Sequence, residues 1–207
     1  MPPIRIAVLI SGSGSNLQAI IDKMENCEIN GELVVVISNK EHAYGLERAR
    51  IHNIESLLID SKTVDHDEYN RLILNAVTER KVELVVLAGY LKILDKKFIE
   101  VYKDRIINIH PSLIPSFCGK GFYGLKVHQS AVDYGVKLSG ATVHFVDEKE
   151  DNGPIILQKS TALDFDDTAE SLQRKILDIE HELLPEAIRL FCDRKLKVIG
   201  RKVSISK

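Results

Sequence analysis

An asparagine and a histidine, Asn108 and His110, stand two residues apart just after the apolar pair Ile106 and Ile107. In an extended chain, residues i and i+2 project from the same face, so the carboxamide and the imidazole would converge on one pocket. Formyl or acyl transfer uses these two groups, because the amide donates to the developing oxyanion while the imidazole carries a proton. The motif predicts that chemistry, and a polar strand end before Pro111 would explain it equally well.

A glycine-rich segment, Ser-Gly-Ser-Gly-Ser-Asn at residues 11–16, is a second candidate site. It follows an apolar run and precedes a helical pattern, and the spacing of Ser15 and Gln18 predicts a capping box at the helix start. Free N–H groups at a helix N-terminus attract anions, and glycines let the backbone approach a phosphate closely. We therefore predict that Gly14, Ser15 and Asn16 bind a phosphate, although a β–α turn without a ligand would have the same pattern.

The sequence lacks features of the dinucleotide-binding and Walker motifs, and this limits which phosphate-containing ligands the segment could bind. A dinucleotide fingerprint needs a third glycine where Leu17 stands. It also needs an acidic ribose ligand after the second strand, which instead ends in Ser38, Asn39 and Lys40. The chain has no Walker loop. A sugar phosphate or mononucleotide-like ligand therefore fits better than NAD or ATP.

The pattern of apolar runs predicts the fold that must position these sites. Short runs rich in Ile, Val and Leu indicate buried strands, and longer helical patterns lie between them. The predicted strands cover residues 4–10, 33–37, 57–59 and 84–87, and the predicted helices cover 15–25, 43–52 and 66–80. This alternation predicts an α/β protein with a doubly wound, mostly parallel sheet. Ligands of such sheets bind at the carboxyl ends of the strands, where residues 11–16, 88–91 and 108–111 would meet.

The C-terminal half follows a different pattern. Two strands at 138–146 and 154–159, joined by an acidic turn, predict an antiparallel hairpin and therefore a mixed sheet. A long helix should follow over 168–194, and Pro185 should kink or break it. Its apolar residues recur at helical spacing, namely Leu172, Ile176, Ile179 and Leu183. Residues 195–207 are interpreted as a polar tail.

The acidic turn offers a carboxylate that could orient His110 and favour its charged form. Asp151 is our candidate for this role. Asp147, Glu148 and Glu150 compete with it equally well on composition, because the sequence does not show which carboxylate faces inward.

The remaining histidines have structural interpretations. His144 alternates with apolar neighbours and is interpreted as a core or site-wall residue. We assign His42, His52 and His128 to surface helices or loops and His181 to the long helix. No His pair at i,i+4 and no Cys/His ligand spacing is present, so we predict no metal site.

The composition excludes several classes of protein. The 207 residues include 28 Lys and Arg against 30 Asp and Glu, giving a net charge of −2, which argues against a nucleic-acid partner. Three isolated cysteines suit a reducing compartment. No apolar run approaches the length of a membrane span. We expect a cytoplasmic protein without a membrane or nucleic-acid partner.

Several motifs together resemble the phosphoribosylglycinamide formyltransferase family, the folate-dependent enzymes of purine synthesis. The motifs are SGSGSNLQAI (11–20), SNK (38–40), YGLERA (44–49), VVLAGYLKIL (85–94), NIHPSLIPSF (108–117), GATVHFVDE (140–148) and DNGPIILQ (151–158). The Asn-x-His pair with a distal Asp also marks methionyl-tRNA formyltransferase and formyltetrahydrofolate deformylase. The SGSGSN loop and the one-domain length point to the glycinamide enzymes.

The resemblance implies a Rossmann-like formyltransferase fold and a reaction. The formyl group of 10-formyltetrahydrofolate would pass to the amine of 5′-phosphoribosylglycinamide, without metal or ATP. Asn108 would donate to the oxyanion, His110 would supply a proton to folate N10, and Asp151 would orient His110 and hold its charge. One domain would span residues 1–207, with a phosphate-binding half at about 1–100 and a folate-binding and catalytic half at about 101–207. These small molecules are the expected partners of a monomer or weak homodimer.

The resemblance also implies binding roles. Gly14, Ser15 and Asn16 would hold the ribose phosphate, and Glu180 would meet the ribose hydroxyls. The folate pocket would be formed by Tyr90, Leu91, Lys92, Ile93 and Leu94 together with Asn108. Weaker candidates are His66, where the family usually carries an arginine, Lys120 in the glycine-dense segment 118–124, and His144.

Two alternatives remain open. One is a formyltransferase acting on another amine, such as an amino sugar nucleotide. The other is a non-catalytic folate- or nucleotide-binding module, which has no need for Asn108, His110 and Asp151 together.

Overall fold

Nine strands and six helices make up residues 2–206, the part of the chain that the computed structural model describes. The strands are β1 (Ile4–Ile10), β2 (Gly31–Ser38), β3 (Ser56–Leu58), β4 (Leu84–Leu87), β5 (Ile106–His110), β6 (Leu138–Phe145), β7 (Ile155–Ala162), β8 (Leu196–Ile199) and β9 (Lys202–Ile205). The helices are α1 (Ser15–Glu25), α2 (Tyr44–Ile51), α3 (His66–Glu79), α4 (Lys96–Val101), α5 (Leu125–Tyr134) and α6 (Ala169–Cys192). The strands form one sheet in the order β3-β2-β1-β4-β5-β6-β7-β9-β8.

The first five strands pair with one another in parallel. Helices cover both faces, so alternate residues of β1 enter two different hydrophobic cores. Ile6, Val8 and Ile10 pack in the core that also holds α1 and α6, whereas Ala7 and Leu9 pack in the core that holds α3. The predicted doubly wound fold is confirmed.

The predicted C-terminal hairpin is also confirmed. β6 pairs antiparallel with both β5 and β7, which makes the sheet mixed. In the β5–β6 register, His144 lies opposite Asn108 and Thr142 lies opposite His110. This pairing brings a strand from the second half of the chain against the Asn-x-His motif.

A break of the long helix at Pro185, one of the two predicted effects, does not occur, because α6 continues to Cys192. A proline inside a helix typically costs about 3 kcal/mol. The residues around it, Leu184, Ala187 and Ile188, are fully buried against the sheet. Burial of each large aliphatic side chain contributes about 1.5–3 kcal/mol, which outweighs the proline.

The interpretation of residues 195–207 as a polar tail was wrong, because β8 and β9 form a hairpin at the sheet edge. Leu196, Val198 and Val203 alternate with polar residues and pack, half-buried, against the core. Such short edge strands give a weak pattern, since only one face of each is covered.

Two local predictions also need correction. The residue before α1 is Gly14 in a left-handed conformation with φ 71°, so Ser15 lies inside the first turn and the predicted capping box does not form. The side chain of Gln18 instead bonds to Asp22 on the same helix. His128 does not lie on the surface, because it is on the buried face of α5 and only 3% exposed.

Candidate active site

The carboxyl ends of β1, β4 and β5 lie side by side, because these strands are adjacent and parallel. With strands about 4.8 Å apart, the segments that follow β1 and β5 are separated by about 10 Å. A buried serine joins two of these segments. The hydroxyl of Ser11 donates to Oδ1 of Asn39 at 2.6 Å and accepts from the N–H of Leu91 at 2.9 Å. The glycine-rich loop and the segment after β4 are therefore fixed relative to each other.

The glycine-rich loop presents unused backbone donors. The N–H groups of Ser13, Gly14, Ser15 and Asn16 donate no hydrogen bond to another of the residues 2–206. They surround the start of α1, where the helix dipole adds partial positive charge. This arrangement can bind an anion.

The side chain of Asn16 leads from this loop to α6. Its Nδ2 donates to Oε2 of Glu180 at 2.7 Å, while its Oδ1 is buried without a partner among the described residues. Burial raises the pKa of Glu180 to about 7, although the Asn16 bond opposes that shift. A buried carboxyl beside an unsatisfied amide oxygen can receive a polar ligand such as a diol.

Asn108, His110 and Asp151 come together at the end of β5. Nδ1 of His110 lies 3.4 Å from Oδ2 of Asp151, and Nδ2 of Asn108 lies 3.5 Å from Oδ1 of the same carboxylate. His144 completes the group, with Nε2 3.1 Å from Nδ2 of Asn108 and 3.8 Å from Oδ1 of Asp151. Side chains from the neighbouring strands β5 and β6 therefore surround the carboxylate of Asp151, which lies in the turn between β6 and β7.

Local backbone geometry explains why Asp151 is the carboxylate that faces inward. Its φ of 48° lies in the left-handed region, which an aspartate adopts more readily than most other residues do. Gly153 lets the turn pass close to β6, since a Cβ at that position would lie only 1.7 Å from the carbonyl oxygen of Phe145. The N–H of Gly119 donates to Oδ2 of Asp151 at 2.9 Å and holds the carboxylate in place.

The competing acidic residues of the turn have other contacts. Asp147 accepts hydrogen bonds from the N–H of Lys149 and from the amide of Asn152, which stabilise the turn itself. Glu148 lies 3.4 Å from Lys96, and Glu150 is exposed.

The hydrogen bonds of the two histidines assign their tautomers. Nε2 of His110 lies 2.9 Å from the carbonyl oxygen of Phe117, which can only accept, so this nitrogen carries a proton. Nδ1 of His110, facing Asp151, is then the nitrogen that gains and loses a proton. In His144, Nδ1 donates to the carbonyl of Phe145 at 2.8 Å, which leaves Nε2 to accept from the amide of Asn108.

The charges of the pair follow from burial and from these contacts. Burial lowers the pKa of His110, and the nearby Asp151 and the Phe117 carbonyl oppose that shift without overcoming it. Burial alone would raise the pKa of Asp151, but the contacts to His144, His110 and the Gly119 N–H outweigh it and lower the pKa. The free protein therefore holds a neutral imidazole beside an ionised carboxylate.

The segment after β4 has two buried and three exposed side chains. Tyr90 and Leu94 are buried, and the hydroxyl of Tyr90 is hydrogen-bonded to that of Tyr69 on α3. The exposed side chains are Leu91, Lys92 and Ile93. Two of these are large and apolar, and exposed residues of this kind are available for a ligand.

Of the three weaker candidates, His144 lies within the cluster, whereas His66 and Lys120 lie outside it. His66 is the exposed first residue of α3, and its ring lies 3.3 Å from the amide of Asn70. Lys120 is exposed in the segment that follows Gly119. The contacts made by the Phe117 carbonyl and the Gly119 N–H could not be predicted from the residue types, because both are backbone groups.

Among residues 2–206, no group of three or more His, Cys, Asp or Glu side chains is arranged to hold a metal ion. Within the same residues, none of the helices combines the length and the apolar character needed to cross a bilayer.

This fold and this group of side chains match a known class of protein. The profile of the family described as formyl transferase matches residues 4–188, so the chain belongs to the formyl transferase family. The resemblance found in the motifs is therefore confirmed at the level of the family.

The similar proteins identify the branch of the family. The chain is 39% identical over 196 residues to phosphoribosylglycinamide formyltransferase of Escherichia coli K12, covering 94% of this chain and 90% of that protein. The crystal structure of glycinamide ribonucleotide transformylase 1 from Symbiobacterium toebii is similar to this structure, with a TM-score of 0.94 and a sequence identity of 43%. The match covers 99% of this chain and 95% of that one. These relatives confirm the resemblance to phosphoribosylglycinamide formyltransferases.

Some similar proteins are longer than this chain. The chloroplastic phosphoribosylglycinamide formyltransferases of Arabidopsis thaliana and Vigna unguiculata are 35% and 36% identical, with 93% of this chain covered in each case. The chain spans 67% and 62% of their lengths. A formyltetrahydrofolate deformylase from Pseudomonas syringae is 28% identical with a TM-score of 0.90, and the match covers 99% of this chain and 66% of that one.

Proposed function

We propose that this protein transfers the formyl group of 10-formyltetrahydrofolate to the amine of 5′-phosphoribosylglycinamide in purine nucleotide synthesis. One observation carries the proposal. The amide of Asn108 and an imidazole nitrogen of His110 both lie within 3.5 Å of Asp151. They lie at the carboxyl ends of the central strands, where the glycine-rich loop also presents free N–H groups. A catalyst that moves a formyl group onto a phosphorylated amine needs these parts together.

The phosphate end of the acceptor would bind at the glycine-rich loop. The N–H groups of Gly14, Ser15 and Asn16 and the dipole of α1 supply the attraction, since the chain as a whole has a net charge of −2. The ribose hydroxyls would donate to Glu180 and to the unpaired Oδ1 of Asn16. The acceptor amine would then lie toward β5.

Asn108 is proposed as the oxyanion donor. One N–H of its amide donates to Nε2 of His144, and that bond orients the amide. The second N–H makes only a long contact of 3.5 Å with Oδ1 of Asp151, and the formyl oxygen would take the place of that contact. As the amine attacks, the formyl carbonyl becomes an oxyanion, and this N–H stabilises the charge. His144 is therefore a positioning residue for Asn108.

The proton is proposed to move through the His110–Asp151 pair. The new carbon–nitrogen bond leaves a proton on the attacking nitrogen, and the neutral Nδ1 of His110 takes it up with help from Asp151. The resulting imidazolium is stabilised by the carboxylate and by the Phe117 carbonyl. It then protonates N10 of the folate as the bond from N10 to the formyl carbon breaks, which releases tetrahydrofolate and the formylated amide.

The folate is proposed to bind against the segment after β4. Leu91 and Ile93 are 51% and 59% exposed and offer apolar surface, and Lys92 beside them suits the carboxylates of a folate tail. The buried side chains of Tyr90 and Leu94 would hold this segment on the protein core, and Asn108 would contact the formyl group of the folate. Lys120 and His66 are proposed only as peripheral contacts to the phosphorylated acceptor.

The remaining assignments are proposals of the same kind. Residues 1–207 would work as one domain, because the loop near residue 11 and the helix that carries Glu180 supply one site from both halves. All three cysteines, Cys27, Cys118 and Cys192, are free thiols, which supports a reducing compartment such as the cytoplasm. The proposed assembly is a monomer or weak homodimer.

A direct assay tests the proposal. The protein is incubated with 10-formyltetrahydrofolate and phosphoribosylglycinamide, and the release of tetrahydrofolate is followed together with formate. Tetrahydrofolate with formylated product and no free formate is the expected result. Turnover only with another amine, such as an amino sugar nucleotide, would show that the proposed acceptor is wrong. Release of formate without any amine would indicate a deformylase.

A further inference from the structure

Helix α2 lies directly behind the glycine-rich loop. The N–H of Gly45 on α2 donates to the carbonyl oxygen of Gly12 at 3.2 Å. The two backbones touch without a side chain between them, because a Cβ on Gly14 would lie 2.7 Å from Cα of Gly45. The loop therefore has a rigid support on the side away from its free N–H groups.

Arg48, one turn further along α2, bonds to the loop at two points. Its Nε donates to the carbonyl oxygen of Ser13 at 3.0 Å, and its NH1 donates to Oε1 of Gln18 at 3.0 Å. The guanidinium also stacks on the ring of Tyr44, 4.9 Å from the centroid. Among the described residues, no carboxylate oxygen lies within 4.0 Å of this guanidinium. Its charge and its donors are thus directed to the loop and to the first turn of α1.

The hydrogen bonds to the Gly12 and Ser13 carbonyl oxygens also determine the directions of the N–H groups in the same peptide units. The peptide bonds at 12–13 and 13–14 are trans, so the C=O and N–H of each unit point in opposite directions. Gly45 holds the Gly12 carbonyl, and the N–H of Ser13 therefore points away from α2. Arg48 holds the Ser13 carbonyl, and the N–H of Gly14 therefore points away from the guanidinium.

We propose that Arg48 is a positioning residue for the phosphate loop, one that sets the Ser13–Gly14 peptide so that its N–H faces the phosphomonoester of the acceptor. This inference rests on the proposed function of residues 11–16 as the phosphate site. Arg48 acts through the Ser13 carbonyl and not by contact with the phosphate. Its planar fork reaches the Ser13 carbonyl and Gln18 at once, which the single ammonium of a lysine cannot do in the same geometry.

Three variants separate orientation from charge. Arg48→Met removes the fork and the charge but keeps an unbranched apolar stem, and Arg48→Lys keeps the charge and loses the fork. Arg50→Met is the matched control, because Arg50 lies on the same helix and, within residues 2–206, its side chain pairs only with the exposed Glu47. For each variant we would measure kcat, KM for both substrates, the inhibition constant of inorganic phosphate, and the melting temperature.

Loss of the orienting bond should weaken phosphate recognition and leave the chemical step intact. We expect Arg48→Met and Arg48→Lys each to raise KM for phosphoribosylglycinamide, and the inhibition constant of phosphate, by about 10- to 100-fold. The kcat value and KM for 10-formyltetrahydrofolate should stay within about twofold, as should every parameter of Arg50→Met.

Each contrary outcome would overturn the inference. Wild-type values in Arg48→Lys would show that charge alone matters, and a fall in kcat at unchanged KM would move the role to catalysis. An equal effect in Arg50→Met would show a general effect of α2. If Arg48→Met does not fold, the lysine variant decides. If the wild type does not turn over phosphoribosylglycinamide, the proposed function fails, and phosphate binding by the same variants still tests Arg48 separately.

Discussion

Nε2 of His110 is hydrogen-bonded at 2.9 Å to the carbonyl oxygen of Phe117, so only Nδ1 of this ring is free to exchange a proton. Nδ1 in turn lies 3.4 Å from Asp151. A backbone carbonyl therefore fixes the tautomer, and a carboxylate sets the affinity of the remaining nitrogen for a proton. The proposed catalysis depends on this division between the two partners.

Replacing Asp151 by Asn should lower kcat by about 100-fold or more, because the imidazolium loses its counter-charge. The carboxylate raises the pKa of His110, so its removal should lower that pKa further. The acidic limb of the pH–rate profile, which reports the neutral imidazole, should then move to lower pH. Glu150→Gln is the control, because Glu150 is an exposed carboxylate of the same turn, and an unmoved limb in Asp151→Asn would exclude the proposed role.

Asn108→Ala should lower kcat by about 100- to 1,000-fold, the usual loss for one oxyanion donor. Binding of the folate should change little, since its proposed pocket lies mainly after β4. Steady-state rates combined with an equilibrium titration of folate measure both quantities. A variant with normal turnover would support a binding module in place of an enzyme.

His144→Ala should act through Asn108. The single variant loses the bond that orients the amide, and we expect a fall in kcat of about tenfold. Once Asn108 is Ala, the amide is gone, so adding His144→Ala should cost almost nothing more. A double-mutant cycle on kcat tests this, and simple additivity of the two losses would mean that the residues act independently.

Glu180 should make the protein less stable as the pH rises. The pKa of this buried carboxyl is raised from its ordinary value of 4.5 to about 7, so the folded state binds the proton more tightly than the unfolded chain. The free energy of unfolding should therefore be highest below pH 4.5 on this account, fall by about 3 kcal/mol in total between pH 4.5 and pH 7, and change little above pH 7.

Glu180→Gln should remove that part of the pH dependence and raise the unfolding free energy at pH 8. Chemical denaturation at pH 5 and pH 8 measures the difference for both proteins. The same variant should weaken binding of phosphoribosylglycinamide, because a carboxylate acceptor for the ribose hydroxyls is lost. An identical pH dependence in the two proteins would contradict the raised pKa.

Gly153→Ala should displace the turn that carries Asp151. Its Cβ would lie 1.7 Å from the Phe145 carbonyl oxygen, so the backbone must move, at a cost of about 1–3 kcal/mol in stability. Activity should fall with it. Gly12→Ala is the matched control for melting temperature, because a Cβ there meets nothing within 4 Å.

Regular elements with one clear periodicity could be predicted from the sequence. The boundaries of β1 and β4 are those predicted, because both strands are buried on two faces and are almost entirely aliphatic, with Arg5 in β1 as the one exception. The strands of the terminal hairpin were missed, since Leu196 and Val203 are only half-buried and alternate with lysine and serine. Pro185 was misjudged because helix propensity is local, whereas the burial that outweighs it is tertiary.

For the candidate site, residue types could be predicted but not their backbone partners. The sequence identified Asn108 and His110 from spacing and nominated Asp151 among four acidic residues. Its inward direction depends on a left-handed φ and on the N–H of Gly119, neither of which a sequence displays. The burial of His128 was missed because one histidine on an amphipathic helix does not reveal which face it occupies.

The hairpin of β8 and β9 contacts the turn that carries Asp151. It joins the sheet through one residue pair, Ile155 with Lys202, and Arg201 at its tip donates to the carbonyl oxygen of Asn152 at 2.8 Å. This brace comes from beyond residue 188, where the family match ends. A change in this hairpin would therefore shift the turn that carries Asp151 without replacing any side chain proposed to contact a substrate.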